Sequence, residues 1–429
     1  MWPTEDTGTR RVCSRPGGSV SAAGSTKASR AILRSVIQRG SVDRKGMASV
    51  SAGHFATDFA QGALPALLVF LVPKFDLTYT MATAVVLVAT LSSSIVQPAF
   101  GHWSDRRGAL WLLPTGVALS GIGISLAAVA SSYPLLLLAV FVSGLGVAAF
   151  HPEGSKFASY VSGARRASGM SLFSIGGNVG FALGPLCGST VVVTLGLEGG
   201  LLLVVPCLAV AAVLVGVRGY LGGFVPDVER PAEGVGEPGQ PKALTLLLVV
   251  VSLRTVAHYG LFTFVPLWEV NAKGSSATHA GRLLSLFLFT GAVGTLVAGR
   301  IADRIGRRPV VLSSLVAAVP LILGYVLIGG IAGDVSLALS GFAVIGSLGV
   351  TLVMSQEYMP GRVGMASGLS IGLAIGTGGL AALLLGGLAD VIDLRTAVLA
   401  TALGPALAAI LTLGLPPARR PRLVETPAV

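Results

Sequence analysis

Apolar residues in this chain gather in long blocks separated by short polar stretches. From Met47 onward such runs fall near 48–72, 80–100, 110–131, 134–152, 168–194 and 197–217. A polar stretch from Arg218 to Lys242 follows, rich in Pro, Glu and Gly. Six more runs lie near 243–268, 281–301, 309–330, 335–356, 363–387 and 396–415. About 20 mainly apolar residues is the length an α-helix needs to cross the hydrocarbon core of a bilayer. A helix also satisfies its own backbone groups where no water can. The pattern therefore predicts an all-α polytopic membrane protein of about twelve transmembrane helices, six on each side of a polar linker.

The same pattern divides the chain. Residues 1–46 form a basic N-terminal arm, 47–217 a first six-helix bundle, 218–242 a linker, 243–417 a second six-helix bundle and 418–429 a tail. The arm lacks an apolar run of spanning length and holds nine Lys and Arg, so it is not a secretory signal. Three readings of it stay open: a disordered cytoplasmic arm, an organelle transit peptide, or a true start at Met47.

Composition narrows the class. Of 429 residues, 53% are hydrophobic and 11% charged, and the mean hydropathy is +0.81. A soluble domain carries about 25% charged residues to wet its surface, so much of this surface must face lipid. The net charge of +11 raises the question of nucleic acid. Placement answers it: Lys and Arg concentrate on cytoplasmic loops of membrane proteins. With the N-terminus inside, 25 of the 30 Lys and Arg fall on cytoplasmic segments and four outside, with Arg254 left within a helix. Both termini are then cytoplasmic, and no nucleic-acid partner is expected. Cys13, Cys187 and Cys207 are scattered and give no disulfide framework or metal spacing.

One motif occurs twice. Gly101, Asp105 and Arg106 follow the second span, and Gly299, Asp303 and Arg304 follow the eighth, 198 residues later and at the matching place in its half. Glycine lets helices approach closely, the aspartate suits the positive end of a neighbouring helix, and the arginines hold the loop on the inner side. Glycines at four-residue spacing mark the fifth span at Gly176, Gly180, Gly184 and Gly188, with Pro185 among them; the eleventh repeats the spacing at Gly364, Gly368, Gly372 and Gly376.

The paired loops resemble the signature loop of the major facilitator superfamily, over residues 47 to about 417. The fifth-span glycines and Pro185 resemble the helix-5 motif of its drug/proton antiporters. Finer matches are similar to the fosmidomycin-resistance branch: His54, Asp58, Gln61 and Pro65; the run Phe150, His151, Pro152 and Glu153; Gly176 to Asn178; and Gln356, Glu357, Pro360 and Gly361. The resemblance implies two pseudo-symmetric six-helix bundles and efflux of a small anionic drug or metabolite coupled to proton entry. The motif loops and helix-5 glycines would serve the conformational switch. One feature departs from the pattern. Many drug/proton antiporters carry an arginine within the fourth helix, and here no basic residue precedes Lys156 there.

Ionisable groups within membrane helices are costly and mark pathways. Asp58 lies about 16 Å along the first span at 1.5 Å per residue, near mid-depth, with His54 on the same face four residues earlier. Arg254 on the seventh span has the same depth, with His258 four residues on, and Asn178 is similar. Pro65 and Pro266 follow in the two halves. Asp58 and His54 are therefore expected in proton coupling; Glu153 is a candidate for the inner end of that path. Arg254, His258, Asn178 and Gln61 are expected at the substrate, the arginine fork matching phosphate or carboxylate. A static Asp58–Arg254 or Asp58–His54 pair that only braces the halves is the competing reading. Glu153 and Glu357 suggest a cytoplasmic gate, or else solvated loop carboxylates. His102 and His279 read as loop residues.

No nucleotide-binding loop, zinc helix or paired CxxC is present, so no cofactor, metal or enzymatic activity is expected. The expected partners are a small-molecule substrate, protons and the lipid bilayer, in a monomeric protein of the cell membrane. Proton-driven import of an organic acid and a non-transporting receptor are the alternative functions.

Overall fold

The computed structural model describes residues 41–107, 109–163, 165–224, 239–359 and 363–416. Within them the chain is helical and without strands. The first half comprises α1 (Arg44–Phe75), α2 (Tyr79–Arg107), α3 (Leu112–Val129), α4 (Tyr133–Val161), α5 (Arg166–Gly199) and α6 (Val204–Leu221). The second comprises α7 (Pro241–Leu267), α8 (Ala277–Ile305), α9 (Arg307–Leu327), α10 (Gly330–Gly346), α11 (Leu348–Tyr358), α12 (Val363–Val391), α13 (Leu394–Ala400) and α14 (Leu403–Thr412). Eleven stretches are long and apolar enough to cross a membrane, one of them 54 residues long. That stretch, Ser168–Leu221, breaks at Gly196, where φ is 72°. It supplies α5 and α6, so the spans among the described residues number twelve.

Three expectations shift. The fourth span does not stop near 152; α4 continues through Pro152 to Val161. The tenth and twelfth spans are each broken, at Ser347 and around Thr401. The motif segments Gly101–Arg107 and Gly299–Ile305 are the last turns of α2 and α8 rather than loops. Helices end where capping ends them, and a hydropathy run stops earlier, where the lipid stops. At α1 the Asp43 carboxylate accepts from Gly46 N–H at 2.6 Å and from Tyr220 Oη at 2.6 Å, so the ordered start of that helix lies before Met47.

The two bundles meet along two seams, α2 against α12 and α5 against α8. The second span of each half thus meets the fifth span of the other, as a pseudo-two-fold requires. Each seam is tight at one end of the bundle. Gly386 faces Thr83 and Gly379 faces Thr90 with no room for a Cβ, and Gly281 meets Ser189 in the same way. The Ser285 hydroxyl accepts from Leu186 N–H at 3.1 Å. At the other end no described residue lies within 4 Å of where a Cβ would stand on Gly299, Gly368, Gly372 or Gly376. The halves are joined at the end bearing Tyr79 and Asp390 and open at the end bearing Gly101 and Gly299.

Inside the first half, α5 lies on α1 at backbone contact. Gly176, Gly180 and Gly184 face Ser51, Phe55 and Gly62–Ala63 of α1, each without space for a side chain. The glycine spacing is thus a packing surface. On α12 the corresponding glycines Gly368, Gly372 and Gly376 are unpartnered.

Candidate functional site

Halfway along α1, His54 and Asp58 sit one turn apart, with His54 Nε2 at 3.2 Å from Asp58 Oδ2. The other carboxylate oxygen, Oδ1, lies 3.2 Å from Nε2 of His151 on α4. The side chains are 12%, 15% and 24% exposed for His54, Asp58 and His151, so the triad is mostly enclosed yet still reachable. Each ring is anchored through its other nitrogen: His54 Nδ1 to the Phe173 carbonyl at 2.8 Å and His151 Nδ1 to the Val147 carbonyl at 2.9 Å. The His54 ring stacks on Phe173, centroids 4.1 Å apart and planes 22° apart. Gly177 of α5 forms the wall, and a Cβ there would stand 2.6 Å from Asp58 Oδ2.

His151 is the site residue that the sequence pattern left unassigned. With a span ending near 152 it stood at a helix end. The nine further residues of α4, as far as Val161, put it inside. The only signal was its place in the run from Phe150 to Glu153.

Arg254 is fully buried on α7. Its Nη1 donates to the Val344 carbonyl at 2.9 Å, one turn before the break that separates α10 from α11. A helix C-terminus offers unpaired carbonyls and partial negative charge to such a cation. Nε and Nη2 have no partner among the described residues, and Arg254 forms no ion pair there, so the static Asp58–Arg254 pair is not made. The Asp58–His54 pair is, with His151 as a third member.

The remaining candidates are spread around this centre. His258 lies beside Tyr259 and Phe287, ring centroids 5.2 and 6.5 Å away. Asn178 is half-buried next to Gly177. Gln61 borders a cavity of about 10 Å³ with Ser143 and Val147. Glu153 is not a solvated loop group: it is 1% exposed within α4, with Lys156 Nζ at 3.4 Å. Glu357 pairs with Arg307 of α9. Asp303 and Arg304 are exposed, and no hydrogen bond ties Asp303 to a helix end among the described residues. The side chains of Asp105 and Arg106 lie outside the described residues, as do Pro360 and Gly361.

A second polar cluster lies outside every sequence expectation. Pro266 precedes a π-helical turn, Trp268–Ala272, which carries the buried Glu269. Its carboxylate accepts from Lys273 Nζ, Ser275 Oγ and Tyr325 Oη, each at 2.7 Å. His279, in the first turn of α8 rather than a loop, stands 3.9 Å from both Glu269 and Asp334. His102 lies on α2, also not in a loop.

Chemically, the triad offers one carboxylate and two imidazole nitrogens whose reactive atoms lie within 4.8 Å of one another, a spacing suited to holding a single small cation or exchanging protons. The guanidinium of Arg254 keeps Nε and Nη2 without a partner among the described residues, buried from solvent.

Comparison with known proteins agrees with this architecture. The sequence model of the Major Facilitator Superfamily matches residues 50–371. The fosmidomycin resistance protein of Escherichia coli K12 is 32% identical over 352 residues, 80% of this chain and 86% of that protein. An uncharacterized MFS-type transporter of Bacillus subtilis 168, YfnC, is 32% identical over 82% of this chain and 88% of its own length. Among solved structures, a bacterial homologue of the human lysosomal transporter Spinster, inward-facing and unoccupied, superposes with a TM-score of 0.70 at 16% identity, covering 86% of this chain and 96% of that one. The nucleoside transporter NupG gives 0.64 at 16%, covering 86% and 98%. By its matching sequence, its twelve spans and its two seams, the chain belongs to the major facilitator superfamily of membrane transporters.

Proposed function

We propose that this transporter exports a small anionic molecule in exchange for protons, by alternating access, with Asp58 and its two histidines as the coupling group and Arg254 as the anion's anchor. The observation that carries the reading is the His54–Asp58–His151 triad, an ionisable set kept at mid-depth in the first bundle. Such groups are too costly to persist in a membrane without a task. Arg254, buried with two donor positions unspent, supports an anionic substrate, since its fork matches phosphonate, phosphate or carboxylate. Similarity to a fosmidomycin resistance protein supports a fosmidomycin-like molecule. Placing the basic loops in the cytoplasm makes the open end the inner one, with both termini on that side, in a monomer of the cell membrane. One proton crossing 100 mV supplies about 2.3 kcal/mol, enough for concentrative export.

One physical consideration favours a second reading, proton-driven import of an organic acid. A protonated triad carries positive charge that attracts an anion, so proton and anion bind together rather than in turn. The test is accumulation of labelled fosmidomycin in inside-out vesicles under an imposed proton gradient. Export coupled to protons predicts accumulation that Asp58→Asn abolishes in well-inserted protein. Absence of accumulation in the unsubstituted protein would remove fosmidomycin as substrate.

A further inference from the structure

We infer that the coupling site takes two protons, one on Nε2 of His54 and one on Nε2 of His151, with Asp58 as their shared anion. His151 is then a second proton carrier. The inference rests on the reading of the triad as the coupling group, and its geometry can be tested without transport.

A carbonyl oxygen can only accept a hydrogen bond, so a ring nitrogen 2.8 or 2.9 Å from one must carry a hydrogen. His54 Nδ1 faces the Phe173 carbonyl and His151 Nδ1 the Val147 carbonyl. Both Nδ1 positions are therefore N–H in every protonation state that keeps these bonds. A neutral imidazole has only one N–H. Were either ring neutral, its unprotonated Nε2 would stand 3.2 Å from a carboxylate oxygen, two electron-rich atoms with no attraction between them. A proton on each Nε2 turns both contacts into ion pairs, His54 with Oδ2 and His151 with Oδ1, even though Oδ1 accepts no well-aligned hydrogen bond. The fixed Nδ1 bonds thus exclude the arrangement in which one neutral ring donates from Nε2 and only the other is charged.

The two protons bind to different helices. His54 and Asp58 belong to α1, whereas the His151–Asp58 contact ties α1 to α4. With both protons aboard the triad carries one net positive charge. Losing both breaks two Nε2–H bonds, sends the protons to water, and leaves two lone pairs around an anion. That set cannot stay at 3.2 Å, so emptying the site loosens α4 from α1 at this depth.

Few other charged groups intervene. From α5 the triad meets the Phe173 carbonyl and Gly177, which has no side chain. From α7 the Tyr259 phenol lies within electrostatic range of Asp58. On α4 the next acid, Glu153, has Lys156 beside it.

The test is nitrogen-15 magnetic resonance of the full chain in nanodiscs with ring-labelled histidine, read across a pH titration. The chain has five histidines, and His54→Gln and His151→Gln assign the two of interest. Both rings are expected to show Nδ1–H at every pH, and both to gain an Nε2 proton as pH falls. A neutral ring carrying its hydrogen on Nε2, or only one of the two rings charging, would overturn the inference. So would a divalent metal retained through purification at these nitrogens. If a variant fails to fold, the number of rings of this type in the unsubstituted chain, two expected, decides the matter in its place. Two charging rings in a protein that moves no substrate would sustain the inference and defeat the transport reading instead.

Discussion

Asp390, at the end of α12, caps α2 across the seam between the halves: its Oδ2 accepts from the Thr80 N–H at 2.8 Å and from the Thr80 hydroxyl at 2.6 Å. Its Oδ1 accepts from Tyr79 N–H at 2.7 Å. The first N–H groups of a helix have no partner within it, and here one bundle supplies the partner for the other. The cap exists only while this end is closed. Replacing a capping carboxylate by Ala costs about 1 kcal/mol, which is about a fivefold change in an equilibrium. Asp390→Ala should therefore move the population about fivefold away from the closed arrangement at this end. Spin-label distances between the bundle ends read that shift; an unchanged distribution would deny Asp390 this role.

The α2–α12 seam also forecasts the other conformation. Its antiparallel register seats Thr83 on Gly386 and Thr90 on Gly379. Continued by one heptad, it brings Gln97 to Gly372, then Gly101 to Gly368. Gly368 and Gly372 now face open space, which is how a surface looks when its partner is absent. A Gln97→Cys, Gly372→Cys pair should form a disulfide only when the halves rock to close this end, and should trap that state. The Thr90–Gly379 contact, now too close for a Cβ, should part in that state. Ready cross-linking of Gln97→Cys with Gly372→Cys while spin-label distances show the Asp390 end still closed would contradict the register.

Two glycines of α5 should respond differently to Ala. At Gly180 the neighbour is the Phe55 carbonyl of α1, a backbone group that cannot yield without separating the helices. Gly180→Ala should lower the yield of folded protein and its Tm, overpacking of this kind costing about 1–3 kcal/mol. At Gly177 the neighbours are His54 Nε2 and Asp58 Oδ2, ends of side chains that can turn aside. Gly177→Ala should leave a folded transporter whose proton coupling is impaired. Equal loss of fold in both would mean that Gly177 is packing alone.

Arg254 has two candidate tasks, bracing α10 through Val344 and holding an anion. Arg254→Lys keeps the charge and loses the fork. If the fork binds substrate, KM for an anionic substrate should rise about tenfold or more, the worth of about 1.4 kcal/mol, with Tm little changed. A falling Tm at constant KM would assign the residue to α10 alone.

Much of this fold was legible in the sequence because the bilayer imposes it: an apolar run of spanning length has few alternatives to a helix. The seams were half legible. Glycine spacing announced close packing on both α5 and α12, yet only α5 is packed along its stripe, since spacing reports the ability to pack and not the present state. Helix ends were illegible, because α2 and α4 run on past their apolar stretches as far as Arg107 and Val161, and His151 was lost with them. The partner of Arg254 could not be read, being a backbone carbonyl, a group every residue carries. Glu269 was missed because a lone acid at the end of an apolar run looks like the start of a loop, whereas a π-helical turn buries it.

The direction in which protons move tests the exchange mechanism most directly. Purified protein in liposomes loaded with a pH-sensitive dye would be given an outward gradient of fosmidomycin, with no imposed proton gradient. Exchange predicts protons entering as substrate leaves, in the unsubstituted protein and not in Asp58→Asn. Protons leaving together with the substrate, or substrate leaving without any proton movement, would contradict it.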